Sequence, residues 1–300
     1  MTFNISIPLY NVEKTIKKTI TSIQNQTESN FNCILINDCS TDKSEEIIKS
    51  LIKYDNRFKL INNQINTKNA LENNVIGFNQ LNPNDNSICI MIDGDDWLID
   101  NTVLKYLKEI YKEKKPNVTH GCYITYPNNQ KSYGRELPEW IKKNNLYRCV
   151  YPFFLTHLKT FNGTLWKKLN QDHLKHNNKF IAPCCDVAIM LSLLELAEEK
   201  VTFIEKPLYV YNRSTMQNVD INRSNEQYEM MKIIRSKKTS CINKKTENER
   251  WKSITKKQID ELLAIEQTAM KSIELIGNSF IDEPFNIRKH SEIYKKKITI

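Results

Sequence analysis

Ile88-Cys89-Ile90-Met91-Ile92-Asp93-Gly94-Asp95-Asp96-Trp97 is the stretch on which the fold turns. Its opening apolar run has the make-up of a buried strand, and three carboxylates stand where that strand ends. Like charges so close repel unless a cation, a positive dipole or a shared proton offsets them, and hard divalent cations prefer oxygen ligands. A metal site for a phosphate-bearing ligand is therefore one reading. The plainer one is a solvated acidic turn from Asp93 to Asp100 capping a helix that begins near Asn101, because Asp favours turns and N-caps.

On either side, apolar runs rich in Ile, Val and Phe alternate with longer segments of helical periodicity, the pattern of an α/β fold with a mostly parallel central sheet flanked by helices. Strands are expected over Asn4–Leu9, Phe31–Asn37, Phe58–Ile61 and Ser87–Ile92, and helices over Val12–Gln26, up to Ile52, and over Asn69–Leu81. A helix over Asn101–Lys114 and a strand over Val118–Tyr126 complete a half of nucleotide-binding type, residues 1–127. Beyond Pro127 the periodicity loosens, and residues 128–221 read as an acceptor half. There Asp186 opens an apolar helix, Val187–Ala197, before short strands at Val201–Ile204 and Leu208–Tyr211. Residues 222–300 read as a helical, basic C-terminal extension that packs on the main domain or on another subunit, the latter giving a homo-oligomer.

The 300 residues suffice for one α/β domain with such an appendage. No apolar run reaches the roughly 18 residues of a membrane span. Met1 to Leu9 lacks the basic start and long apolar segment of a signal peptide, so a cytoplasmic protein is expected, with peripheral membrane association left open. The eight Cys residues form no CxxC, which favours buried thiols over a zinc knuckle or a disulfide framework. The net charge of +9 is concentrated in Lys residues after Arg235, such as Lys237, Lys238, Lys244 and Lys245, and reads as a solvated helical face. No nucleic-acid partner is expected.

Open α/β sheets bind ligands outside the carboxyl ends of their strands. Three such ends are polar here: Pro8, Tyr10 and Asn11 after the first strand, Asn37 and Asp38 after the second, and Asp93, Asp95 and Asp96 after the fourth. An aromatic ring, a carboxylate that accepts from a base N–H and an acidic turn that binds metal together suit a sugar nucleotide. Tyr10 read instead as a core aromatic, and Asp38 as a helix cap, are the plainer alternatives.

Ile7-Pro8-Leu9-Tyr10-Asn11, Ser22-Ile23-Gln24-Asn25-Gln26-Thr27, Ile36-Asn37-Asp38-Cys39-Ser40-Thr41-Asp42 and Ile92-Asp93-Gly94-Asp95-Asp96 resemble, in their order and spacing, the family 2 glycosyltransferases with a GT-A fold. The resemblance covers roughly the first 215 residues. It implies a metal-dependent, inverting transfer of a sugar from a nucleotide-sugar donor, a UDP-sugar being favoured, to an acceptor hydroxyl, with Mn²⁺ or Mg²⁺ as cofactor. Tyr10 and Asp38 become base contacts, Asp95 a ribose or metal contact, and Asp96 the first choice of direct metal ligand, while Asp93 mainly shapes the turn. Asp186, in Cys184-Cys185-Asp186-Val187, becomes the general base, its plainer role being a helix cap.

A narrower resemblance lies in His157-Leu158-Lys159-Thr160-Phe161 and Leu208-Tyr209-Val210-Tyr211-Asn212, which look like a branch with a Gly-Asp-Asp-Trp-Leu acidic turn. Trp97, His157 and Lys159 are its candidate donor or acceptor contacts, and Glu195 reads as an ion-pair partner. The chain departs from the family where Lys68 and Asn73 replace a common Gly and Arg, so that a pyrophosphate or base contact is either lost or moved to Lys68, and where Cys185 replaces a common Glu. Tyr211-Asn212-Arg213-Ser214 lacks the usual His, and Arg213 reads either as offsetting diphosphate charge or as a structural ion-pair partner. The acceptor, whether glycan, lipid-linked or protein, is not legible. Rival readings are a sugar-nucleotide nucleotidyltransferase, which would need a basic, Gly-rich loop that Pro8 to Lys14 does not offer, and a non-catalytic nucleotide-binding or scaffold protein.

Overall fold

The computed structural model describes residues 1–214, 224–237, 247–275, 292 and 294–297. Its strands are β1 (Thr2–Leu9), β2 (Phe31–Asn37), β3 (Phe58–Asn62), β4 (Ser87–Met91), β5 (Trp97–Leu98), β6 (Val118–Tyr126), β7 (Thr156–Asn162), β8 (Lys175–His176), β9 (Lys179–Phe180) and β10 (Val201–Asn212). The helices are α1 (Ile16–Gln24), α2 (Ser44–Ile52), α3 (Ala70–Leu81), α4 (Val103–Glu113), α5 (Glu139–Lys143), α6 (Gly163–Lys168) and α7 (Cys185–Ala197). Three more follow: α8 (Ser224–Ser236), α9 (Glu247–Trp251) and α10 (Lys256–Leu275).

One sheet runs in the order β3-β2-β1-β4-β7-β6-β10-β5, and β8 pairs with β9 in a separate hairpin. The pairs β3/β2, β2/β1, β1/β4 and β6/β10 are parallel, whereas β7 runs antiparallel to both β4 and β6, and β5 antiparallel to β10. Apolar side chains cover both faces. Phe3, Ile5 and Ile7 of β1 pack with Ile16 and Ile20 of α1 and Leu107 of α4. On the other face Leu71 and Phe78 of α3 pack with Phe161 of β7 and Leu191 and Leu194 of α7.

Helix α1 starts four residues later than the periodicity suggests, for a local reason. The N–H groups of Asn11, Val12 and Glu13 donate to Ser40, Ser44 and Asp42 side chains of the β2–α2 connection, so the first turn waits until those donors are satisfied. Asn69 instead caps α3, its side chain accepting from the N–H groups of Leu71 and Glu72.

Strand β7 lies in a segment whose periodicity is loose. It is central all the same, because Thr160 bonds to Tyr111 and Thr119 while Phe161 fills the opposite core. The two short strands expected after Ala197 are one strand, β10, with a register shift between Ile204 and Tyr209.

The described part of the extension packs on residues 135–151 of the same chain. Trp140 Nε1 donates to Glu261, the Tyr151 N–H to the buried Glu266, and Arg135 to Ser272. Trp251, Ile259, Leu262 and Leu263 join the core that contains α7. Lys238, Lys244 and Lys245 of the expected basic face lie outside the described residues. The seven described cysteines are free thiols, and among the described residues no helix is long and apolar enough to cross a membrane.

Candidate active site

Four parallel strands end at one edge of the sheet, so the loops that follow β1, β2, β3 and β4 meet there. Pro8 and Leu9 are buried, whereas Tyr10 is 41% exposed, a large aromatic left uncovered at that edge. Asn11 takes a left-handed backbone at φ 51°, and its side chain accepts from the N–H of Thr41, stitching the first loop to the second.

Asp38 is 4% exposed and accepts four hydrogen bonds. Asn63 Nδ2 and the Thr67 N–H reach Oδ1, and the Thr67 hydroxyl and the Lys68 N–H reach Oδ2, at 2.8–3.1 Å. A carboxylate has about four such acceptor positions. Asp38 therefore holds the 63–69 loop in place. Lys68 adopts φ 55°, a left-handed backbone that glycine takes most easily. Asn73 is buried, and its side-chain oxygen accepts from Asn63.

The acidic turn is pressed against the end of β1. A Cβ on Gly94 would lie 2.7 Å from Leu9 Cβ and 3.0 Å from the Pro8 carbonyl, so only glycine lets the backbones approach this closely. Thr19 donates to the Gly94 carbonyl, and the Asp93 N–H donates to the Tyr209 hydroxyl at 3.1 Å.

The three carboxylates differ. Asp93 and Asp95 are half-buried, whereas Asp96 is 0% exposed. Asp96 Oδ1 accepts from the Asn212 N–H at 2.7 Å; Oδ2 is buried with no partner at hydrogen-bond distance. Asn212 Nδ2 also donates to the Asp95 carbonyl. Burial, helped by the charges of Asp95 and Asp186 and opposed by Lys159, raises the Asp93 carboxyl to about 7. Burial with the charges of Asp95 and Asp93 raises Asp96 well above the carboxylate range.

This crowding of carboxylates is what a divalent cation relieves. Among the described residues no three His, Cys, Asp or Glu side chains converge as a metal cage. The donor set fits a cation held by one or two carboxylates and by ligand phosphates, the usual manner of Mg²⁺.

Trp97 does not face the crevice. It is 7% exposed, pairs with Val210 through β5, and lies between the Lys18 ammonium, 3.6 Å from its ring centre, and the Tyr126 ring at 5.4 Å. Its place is that of an anchor for the turn.

Across from the turn, Asp186 sits in the first turn of α7, where the helix dipole favours a carboxylate. Its side chain is 46% exposed and accepts a hydrogen bond from Lys159 Nζ. Burial pushes its carboxyl up, but the Lys159 ammonium outweighs that and holds it below the usual carboxylate range. Asp186 is thus ionised near neutrality.

Lys159 is 2% exposed and cannot present its ammonium to a diphosphate, contrary to one expectation. His157 is likewise not a cation. Its ring stacks on Tyr209 at 4.7 Å, and burial followed by the Lys159 charge lowers it to about 3. Arg213 follows β10 with its N–H on the Tyr126 carbonyl. Glu195 forms the expected ion pair, bidentate with Arg148 at 2.5 and 2.9 Å.

Three residues that shape the site carry no charge: Tyr209, Asn212 and Thr67. Thr67 is signalled in the sequence only by its place in a polar loop after a strand, whereas Tyr209 and Asn212 fall in the Leu208–Asn212 stretch that carries the narrower resemblance, without a role of their own.

A crevice at the carboxyl ends of a mostly parallel sheet, with an acidic turn on one wall and a carboxylate at a helix start on the other, is the design of a GT-A glycosyltransferase. The chain belongs to glycosyl transferase family 2, whose description matches residues 5–189. It is similar to glycosyltransferase GlyA of Streptococcus pneumoniae serotype 4, with 27% identity over 215 residues, which are 69% of this chain and 30% of that protein. The chain thus spans under a third of that relative's length.

Two solved structures share the fold. Residues 1–349 of S. aureus TarS in complex with UDP-GlcNAc superpose with a TM-score of 0.59 at 15% identity, covering 98% of this chain and 79% of that one. The mannosyltransferase PcManGT of Pyrobaculum calidifontis, in complex with GDP-Man and Mn²⁺, has a TM-score of 0.54 at 11% identity, covering 99% and 83%. Residues 5–189 thus form a glycosyl transferase family 2 domain.

Proposed function

We propose that the protein transfers a sugar with inversion from a UDP-sugar to a hydroxyl of a glycan, lipid-linked or protein acceptor on the cytoplasmic side. The reading is carried by one observation: Lys159, paired across the sheet with Met91 two residues before Asp93, donates to Asp186, which brings the start of α7 to the acidic turn. Asp186 takes the acceptor proton as the hydroxyl oxygen bonds to the anomeric carbon. The bond from that carbon to the diphosphate oxygen breaks, and its electron pair leaves with the nucleoside diphosphate.

Mn²⁺ or Mg²⁺, held by Asp95 with Asp93, would neutralise charge on the leaving diphosphate. Asp96, buried and bound by Asn212, braces the turn in this reading and gives up first place as metal ligand to Asp95. Tyr10 packs on the base, beside Pro8 and Asn11. Asp38 acts on the base pocket through the 63–69 loop, while Lys68 and Arg213 supply cationic charge near the diphosphate. UDP as the nucleotide draws on the family resemblance and on the UDP-GlcNAc complex of TarS.

A screen of UDP- and GDP-sugars by thermal shift with Mn²⁺, followed by assay of the products, tests this. Metal-dependent release of free nucleoside diphosphate is expected, whereas pyrophosphate release would point to a nucleotidyltransferase, and binding without turnover to a scaffold. Asp186→Asn should keep donor binding and lose about 10²-fold or more in turnover. Undiminished turnover in that variant removes Asp186 as the base.

A further inference from the structure

Lys159 stands in the middle of the sheet, on β7 opposite Met91 of β4, where a lysine is out of place. A buried ammonium without a partner gives up its proton, so this one must be compensated. The compensation is lopsided. Its Nζ donates to Asp186 Oδ2, yet the Lys159 side chain is 2% exposed and that of Asp186 46%. The carboxylate thus borders open space while the ammonium is enclosed behind it.

The surroundings of Lys159 allow it little movement. The Phe153 ring centre lies 6.0 Å from Nζ, and β7 is held by β4 on one side and β6 on the other. The next residue, Thr160, bonds to both Tyr111 and Thr119. Across the sheet Lys159 pairs with Met91, two residues before Asp93. One rigidly seated cation therefore ties the start of α7 to the strand that carries the acidic turn. Stability alone does not call for a lysine here, since buried ion pairs are often replaced by apolar packing without loss.

We infer that Lys159 is a positioning residue for transfer. From behind, it fixes the orientation of the Asp186 carboxylate and its separation from the acidic turn, without touching donor or acceptor. The inference rests on Asp186 being the base.

The test uses the full chain and the Lys159→Met variant, with Lys159→Gln in reserve if the first does not fold. In a crystal structure of the variant, which needs no ligand, Asp186 should leave its present orientation or spread over several rotamers. Calorimetric affinity for UDP with Mn²⁺ should stay within about twofold, while kcat for UDP release from the probe UDP-GlcNAc falls about tenfold or more with KM little changed. Lys159→Arg should restore part of the rate. Added to Asp186→Asn, Lys159→Met should cost nothing further, because the two act as one unit.

An unmoved Asp186 overturns the inference. So does an additive loss in the double variant, or a fall in UDP affinity, each of which would make Lys159 a direct contact. Full turnover in Asp186→Asn is a different failure, that of the base assignment itself.

Discussion

The backbone N–H of Asn212 donates to Asp96 Oδ1 at 2.7 Å, joining the end of the last strand to the acidic turn across 116 positions of sequence. This contact separates structural from chemical roles among three neighbouring carboxylates. Asp95→Ala should leave the melting temperature within about 2 °C of the parent and abolish Mn²⁺-dependent UDP binding. Asp96→Ala should lower unfolding stability by about 1–3 kcal/mol, because it orphans the buried Asn212 N–H. Chemical denaturation beside calorimetry with UDP and Mn²⁺ distinguishes the two, and equal stability of both variants would contradict the division.

Asp38 gathers four donors from the 63–69 loop, so its removal is expected to act on that loop first. Asp38→Ala should cost about 2–4 kcal/mol and speed amide exchange at Thr67 and Lys68 without any ligand present. A variant with native stability and native exchange rates at those amides would leave Asp38 with only a nucleotide-binding role.

Arg148 and Glu195 form a buried bidentate pair, 11% and 1% exposed at the side chain. Arg148→Met alone should destabilise by about 3–5 kcal/mol, since it strands a carboxylate in the core. The double change Arg148→Met with Glu195→Leu should recover most of that loss. Urea unfolding of the three variants checks the ordering.

Acid should weaken the fold through two histidines. His120, fully enclosed beside Phe203 and facing the charges of Lys142 and Lys159, and His157 are both lowered to about 3, burial being the main cause. Each is neutral when folded, whereas the unfolded chain takes up a proton near pH 6.5. Their stabilising effect is therefore complete above pH 6.5 and lost as pH falls from 6.5 towards 3, at about 1.4 kcal/mol per pH unit for each. His120→Leu should flatten that slope by about one proton. Denaturation midpoints measured between pH 4 and 8 would show it, and an unchanged slope would rule His120 out as a contributor.

How much of this was legible follows the chemistry of individual residues. β2 and β6 match their expected spans because Phe31–Asn37 and Val118–Tyr126 are bounded by turn formers and rich in β-branched and aromatic side chains. β7 escaped because His157 and Lys159 interrupt its apolar pattern, and a lysine in the interior looks in sequence like a lysine at the surface. β5, two residues long, is too short to carry a period. At the site, charged residues after strands were readable, since a carboxylate at a sheet end has few plain explanations. Tyr209 and Asn212 were not, because they act through a phenol and a backbone N–H that any core strand might possess. Trp97 misled in the opposite sense, its aromatic ring belonging to an anchor beneath the turn.

The central place of β7 sets the order in which the chain can become whole. Strands β4 and β6 are separated by β7, drawn from residues 156–162. As the chain leaves the ribosome, residues 1–127 emerge with every strand of the expected nucleotide half except the one that joins β4 to β6. The eight-stranded sheet is complete only with a segment that sequence alone assigns to the other half. A truncation at residue 127 would expose the edge of β4 and leave β6 without either of its neighbours, β7 and β10. The line drawn at residue 127 thus passes through one continuous sheet, in which β6 gains its two neighbours only from residues 156–162 and 201–212.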